Sequence, residues 1–184
     1  MRRNSITYPL ALTAVCVGIN LALCFINMQL KLPIYLDTVG TMLVAALLGA
    51  PWAVACALLS AVANSGLDPF ALPFVPQSIT SALMATLVFR HPRVKQLAVP
   101  IKGLIVGLPA AIIGAVIAAY IFGGVTSAGS SYILQFMTHA MGLPLVASAF
   151  AVQLVTDYID KTLIILFVTL VVRRLPARIL ERLK

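Results

Sequence analysis

Charge is scarce in this sequence. Of 184 residues only 10% are Asp, Glu, Lys or Arg, and the acids number five. A soluble domain carries about 25% charged residues, so a cytosolic enzyme is excluded. Arginine is absent from residues 4–89 and 94–172, which removes the planar fork that commonly holds carboxylates and phosphates. There is no GxxxxGK[ST] loop, so any ATP-driven work has to be powered by another subunit. HExxH and GxSxG are missing too. Asp157 and Asp160 fall on one predicted helix, whereas an aspartyl dyad takes its carboxylates from separate elements. The residues point to no enzyme and no cofactor. Cys16, Cys24 and Cys56 have neither CxxC nor zinc spacing and read as buried packing thiols. His91 and His139 have no ligand-spaced partner, so haem and metal are not expected.

What is present is apolar. Hydrophobic residues make up 61% of the chain and the mean hydropathy is +1.06. Apolar runs near 20 residues, each long enough for a bilayer, recur along it. The sequence predicts an all-α integral membrane bundle of six transmembrane helices in one domain, over about 8–30, 34–49, 51–65, 74–90, 103–122 and 144–172. Arg2 and Arg3 imitate a signal peptide, but the apolar run behind them is too long and has no cleavage site. The stretch 34–65 is split because Gly49-Ala50-Pro51-Trp52 is a breaker followed by an interfacial aromatic.

The net charge of +8 is organised by position. With six helices and an internal N-terminus, eleven of the thirteen Lys and Arg fall on the inner side, as cytoplasmic loops require. Fusing the second and third helices would place the cluster at 90–102 outside. Both termini are therefore expected in the cytoplasm, with 178–184 as a basic tail on the inner leaflet. No basic face interleaved with aromatics exists for nucleic acid. The outer connections, 31–33, 66–73 and 123–143, are long enough to carry ligand contacts, and 132–141 is a candidate interfacial helix.

Polar side chains concentrate in the outer half: Asn27, Asp37, Thr38, Thr41, Asn64, Gln77, Ser78, Thr80, Ser81 and Gln153, with Asp157, Asp160 and Lys161 nearer the middle. The inner half is nearly bare. Polar groups in hydrocarbon are costly and face a cavity or a partner, so the pattern predicts a cup open to the outside with an apolar floor. Tyr35, Asp37, Thr38, Thr41, Asn64, Asp68, Gln77, Gln153, Asp157 and Lys161 are its candidate substrate-binding residues. Simpler roles stand beside several of them. Asp157 and Lys161 sit i,i+4 and either neutralise each other or meet a ligand. Asp37 is either a ligand contact or the cap of the second helix; Asn64 and Asp68 are either contacts or loop caps; Gln77 is either a contact or an interhelical hydrogen bond. Small residues at Ala14, Gly18 and Ala22 form a stripe that lets another helix approach, inside the bundle or in another protein. Gly103, Gly107, Ala110, Gly114 and Ala118 repeat the device, with Pro109 between them.

The hydrophobic six-helix chain, the segment Tyr35-Leu36-Asp37-Thr38-Val39-Gly40-Thr41 leading into Ala45-Ala46-Leu47-Leu48-Gly49, the Ala14-x-x-x-Gly18 pair and Asp157–Lys161 with the ending Arg173-Arg174-Leu175-Pro176 together resemble the substrate-binding S component of an energy-coupling factor vitamin transporter. The resemblance covers essentially the whole chain. It implies a subunit in a prokaryotic cell membrane that captures a micronutrient from outside, then topples against a transmembrane coupling protein driven by two cytoplasmic ATPases. It also implies that Ala14, Gly18 and Ala22 meet that coupling protein, with Gly18 in place of the family's usual Ala. A stand-alone carrier is the rival reading, opposed by the bare inner half and the lack of an inverted repeat. A membrane sensor is another, opposed by the short stretch after the sixth helix. In the outer cup acids outnumber bases, and Tyr35, Phe70, Tyr120, Tyr132, Phe136 and Tyr158 offer aromatic faces. The expected ligand is a neutral or weakly cationic heterocycle rather than a multiply anionic one.

Overall fold

Proline marks the start of helix after helix, because the first helical turn leaves its N–H groups without partners and a residue lacking one costs nothing there. Pro51, Pro76 and Pro100 sit in the first turns of α3 (Ala50–Asn64), α4 (Val75–Arg90) and α5 (Val99–Tyr120), and Pro144 directly precedes α7 (Leu145–Arg174). The computed structural model describes residues 6–176, which also include α1 (Thr7–Leu30), α2 (Val39–Leu47) and α6 (Ser130–Gln135). Among the described residues there is no strand. Arg2, Arg3 and the expected basic tail at 178–184 lie outside them.

The break between the second and third helices falls at Gly49, whose φ of 95° belongs to the left-handed region that glycine tolerates. The start of the second helix is corrected. Residues 31–38 are irregular, with Lys31 and Leu36 at φ 51° and 52°, and α2 begins only at Val39. The helix expected at 103 begins at Val99, and the one expected over 132–141 begins at Ser130 and continues as π-helical turns over Phe136–Ala140.

α1 and α5, with 24 and 22 residues, are long and apolar enough to cross a membrane, and this points to membrane association. α2 has 9 residues and is about 14 Å long, far short of a full crossing as a helix. α3 and α4 have 15 and 16 residues. α7 has 30 but carries Asp157, Asp160 and Lys161 mid-length.

α1 to α5 and α7 alternate in direction. At one end Arg90 donates to the Leu47 carbonyl at 3.3 Å, and Lys102 donates to the Lys95 carbonyl at 2.7 Å and lies within electrostatic range of Arg173. At the other end the connections 31–38, 65–74 and 121–129 converge. The apolar core, including Met42, Val44, Val88, Val106, Ile164 and Val168, lies between α2, α3, α4, α5 and α7 toward the basic end. The outward faces of α1, α5 and α7 are also apolar, with Leu10, Val15, Ile112, Val116, Leu163 and Phe167 all exposed. Helices apolar on every side belong to a membrane or to the centre of a larger body.

One amide joins the first three helices. Asn20, fully buried, donates to the hydroxyls of Thr41 at 2.9 Å and Ser60 at 3.0 Å, and its Oδ1 accepts the backbone N–H of Gly40 at 2.7 Å. Asn20→Ala leaves that N–H unanswered in an apolar core. The expected loss is about 1–3 kcal/mol, read as a lower melting temperature in detergent.

Candidate functional site

The helices leave a cavity beneath the converging connections. It has about 710 Å³ of empty space, open solvent at its mouth included, and α2, α3, α4 and α7, with Cys24 of α1, wall it. Nine of the ten residues expected to bind substrate line it: Tyr35, Asp37, Thr38, Thr41, Asn64, Asp68, Gln77, Asp157 and Lys161. Gln153 does not. It is buried one turn above Asp157 on α7 but does not line the cavity.

The ion pairing differs from the i,i+4 expectation. Lys161 pairs with its neighbour Asp160, Nζ to Oδ2 at 2.6 Å, and also donates to the Thr38 hydroxyl at 3.2 Å. Asp157 instead accepts a hydrogen bond from Gln77 Nε2 at 3.0 Å. The periodicity rule describes an isolated helix surface, whereas here α2 and α4 bring partners of their own. Asp160 serves a second purpose, since its Oδ1 accepts the backbone N–H of Leu36 at 2.9 Å and so satisfies the irregular lead-in to α2.

Other simple alternatives are decided one by one. Asp37 caps nothing: α2 has Thr38 at its N-cap and no side-chain cap bond. The interhelical bond foreseen for Gln77 is present, and it leaves the residue on the cavity wall. Asp68 has the loop role in full, with Oδ1 accepting the Phe70 N–H at 2.9 Å and Oδ2 accepting the Ser127 hydroxyl at 2.6 Å. Asn64 is not satisfied as a cap. Its Oδ1 is buried without a partner, as is the hydroxyl of Ser81, and both residues face the cavity. Buried polar atoms are nearly always paired; Asn27, Ser148 and Thr162 carry orphans elsewhere, and Asn64 and Ser81 are the two whose orphans lie at the cavity.

The roof is held together across three connections. Ser127 joins Asp68; the Tyr35 hydroxyl lies close to the side chains of Thr126 and Ser127; and the Gly129 N–H donates to the Leu32 carbonyl at 3.1 Å. Phe122 packs edge-on to Phe70 at 4.8 Å and stacks with Phe74 at 6.0 Å. Of the aromatics expected near a ligand, Tyr35 and Phe70 reach the cavity, while Tyr120, Tyr132 and Phe136 are exposed on the outside. Phe74 joins the lining without having been foreseen, as do Cys24 and Ser60. Nothing in the spacing of these small or apolar residues distinguishes them from packing. Below Thr41, Ser60, Ser81 and Lys161 the same helices continue into the apolar core.

The two small-residue stripes have different fates. Along α5, a Cβ on Gly103 would strike Thr162, one on Gly107 would lie 3.2 Å from the Tyr158 backbone, and one on Gly114 would lie 2.8 Å from Gln77 Oε1. That stripe seats α7 and Gln77 inside the bundle. On α1, Ala14, Gly18 and Ala22 are exposed, and a Cβ on Gly18 would meet no atom within 4 Å. Among the described residues no group of three His, Cys, Asp or Glu converges as metal ligands. No protein-family model, curated protein or solved structure matches the chain.

Proposed function

We propose that this chain is the substrate-capturing membrane subunit of an energy-coupling factor uptake transporter for a vitamin or similar micronutrient. It works with a separate transmembrane coupling protein and two cytoplasmic ATPases in a prokaryotic cell membrane. The observation that carries this reading is the cavity: lined by acids, amides and hydroxyls together with apolar and aromatic side chains, roofed by connections at one end, and with apolar core beneath it. A channel or carrier needs a polar route through the protein, whereas a subunit that moves its ligand by reorienting needs only a cup. The resemblance in residues 35–49 and 157–176 supplies the transporter class.

In this reading α1, α3, α4, α5 and α7 each cross the bilayer, and residues 31–47 cross once as an irregular lead-in followed by α2. Such backbone is tolerated at membrane depth where protein or a cavity surrounds it. Arg90, Lys102 and Arg173 share the end opposite the cavity, which makes that end cytoplasmic by the excess of positive charge. The exposed stripe of α1 is the surface for the coupling protein, because a strip of small residues flanked by Leu10, Val15 and Phe25 admits a second helix closely.

Native mass spectrometry of the chain purified in detergent tests capture directly. The expected spectrum contains one stoichiometric small molecule of a few hundred daltons that leaves on activation. A chain that is empty as purified from ligand-replete cells would overturn high-affinity capture and favour a low-affinity carrier or a sensor.

A further inference from the structure

Among the charged side chains that line the cavity, acids outnumber bases three to one. Asp37, Asp68 and Asp157 line it against Lys161 alone, and Lys161 is already taken by Asp160 and Thr38. Asp68 is occupied by Ser127 and the Phe70 N–H. That leaves Asp37, which accepts no hydrogen bond from another residue among the described ones, and Oδ1 of Asp157, whose Oδ2 is held by Gln77. The orphaned Asn64 Oδ1 is a third open acceptor, and the residue is only 5% exposed; Ser81, 1% exposed, adds an unpartnered hydroxyl. The wall therefore presents open acceptors and no free cation among its described residues.

We infer that the cavity takes an organic cation, a flat nitrogen-bearing ligand whose protonated centre lies between Asp37 and Asp157 and whose N–H groups answer Asn64. This rests on the capture reading and names its substrate class. An anion would meet three carboxylates against one lysine, Lys161, which is already ion-paired to Asp160 and whose charge also reaches Asp37 and Asp157. A neutral ligand would strip water from Asp37 and return no charge in exchange, which is the costly way to bury a carboxylate. A cation compensates that loss, and the rings of Tyr35, Phe70 and Phe74 on the same wall add attraction between a positive charge and aromatic faces. An organic cation is favoured over a metal ion because the acids do not converge into a ligand group.

The test uses three probes of nearly equal shape: tryptamine, a cation at pH 7.5; tryptophol, neutral; and indole-3-acetate, an anion. The full chain in neutral detergent, dialysed until native mass spectrometry finds it empty, is titrated with each by calorimetry. Tryptamine is expected to bind at least tenfold more tightly than tryptophol, with indole-3-acetate weakest. Asp37→Asn, a change of nearly equal size at a side chain with no bond to another residue, should lower tryptamine affinity at least tenfold. Tryptophol binding should stay within twofold and melting should be unchanged. Equal affinities, a preference for indole-3-acetate, or no binding by any probe would overturn the cation assignment. None of these outcomes touches the capture reading, which falls only if the chain is empty as purified.

Discussion

Replacing Gly40 by alanine is expected to cost about 1–3 kcal/mol, at the upper end of that range, while the same replacement at Gly18 stabilises the chain by about 0.5–1 kcal/mol. The two glycines lie on neighbouring helices and look alike in sequence. Gly40 opens α2 against α1, and a Cβ there would run into the Cys16 carbonyl oxygen and lie 2.9 Å from Asn20 Oδ1. The obstacle is helix backbone, which cannot swing aside as a side-chain tip can. Displacing it also breaks the bond from the Gly40 N–H to Asn20, and with it the grip of Asn20 on Thr41 at the cavity wall. Gly18 meets nothing, so an added methyl there only lowers the backbone entropy lost on folding. Thermal unfolding of both variants in one detergent reads the contrast. Similar melting temperatures for the two would show that α1 and α2 are packed less closely than described.

Ala14→Trp and Gly18→Trp are expected to leave ligand in the chain and to abolish uptake. Both positions are exposed on α1 and outside the cavity lining, so an indole there disturbs neither the fold nor the site. It does fill the shallow track in which a partner helix would lie. The matched control is Ile112→Trp, an exposed position on the apolar outward face of α5. In cells carrying the coupling protein and ATPases, accumulation of the captured compound should fall to background for the two α1 variants and remain near wild type for the control. Ligand content by native mass spectrometry should be unchanged in all three. If the α1 variants transport normally, the stripe is not the coupling surface.

These contrasts also show what the sequence could and could not carry. The break at Gly49 was legible because Gly49-Ala50-Pro51-Trp52 joins a helix breaker to an interfacial aromatic, and Gly49 does adopt a left-handed φ there. The membership of the cavity was largely legible because polar side chains are so rare in this chain that depth alone gathers them. Who pairs with whom was not. Asp157 and Lys161 look like partners along α7, but Asp157 takes Gln77 from α4 while Lys161 turns to its neighbour Asp160 and to Thr38 in the α2 lead-in. Asn20 escaped notice as a single amide in a long apolar run, yet it is the junction of three helices. The stripes of α1 and α5 follow the same small-residue rule, so the chain's own packing decides which is internal.

The acceptor that Asp160 provides for Leu36 has a consequence for the order in which the molecule is completed. Helices ordinarily satisfy their backbone from within, four residues away, as soon as the segment exists. The lead-in to α2 does not: the Leu36 N–H finds its acceptor 124 positions later, on the last helix. During synthesis, then, the wall of the cavity built by residues 35–41 remains provisional until α7 has been made and has docked. α1, α2 and α3 can meet through Asn20 without α7, but the acceptor that completes the chamber's wall at Leu36 comes from the carboxy-terminal side.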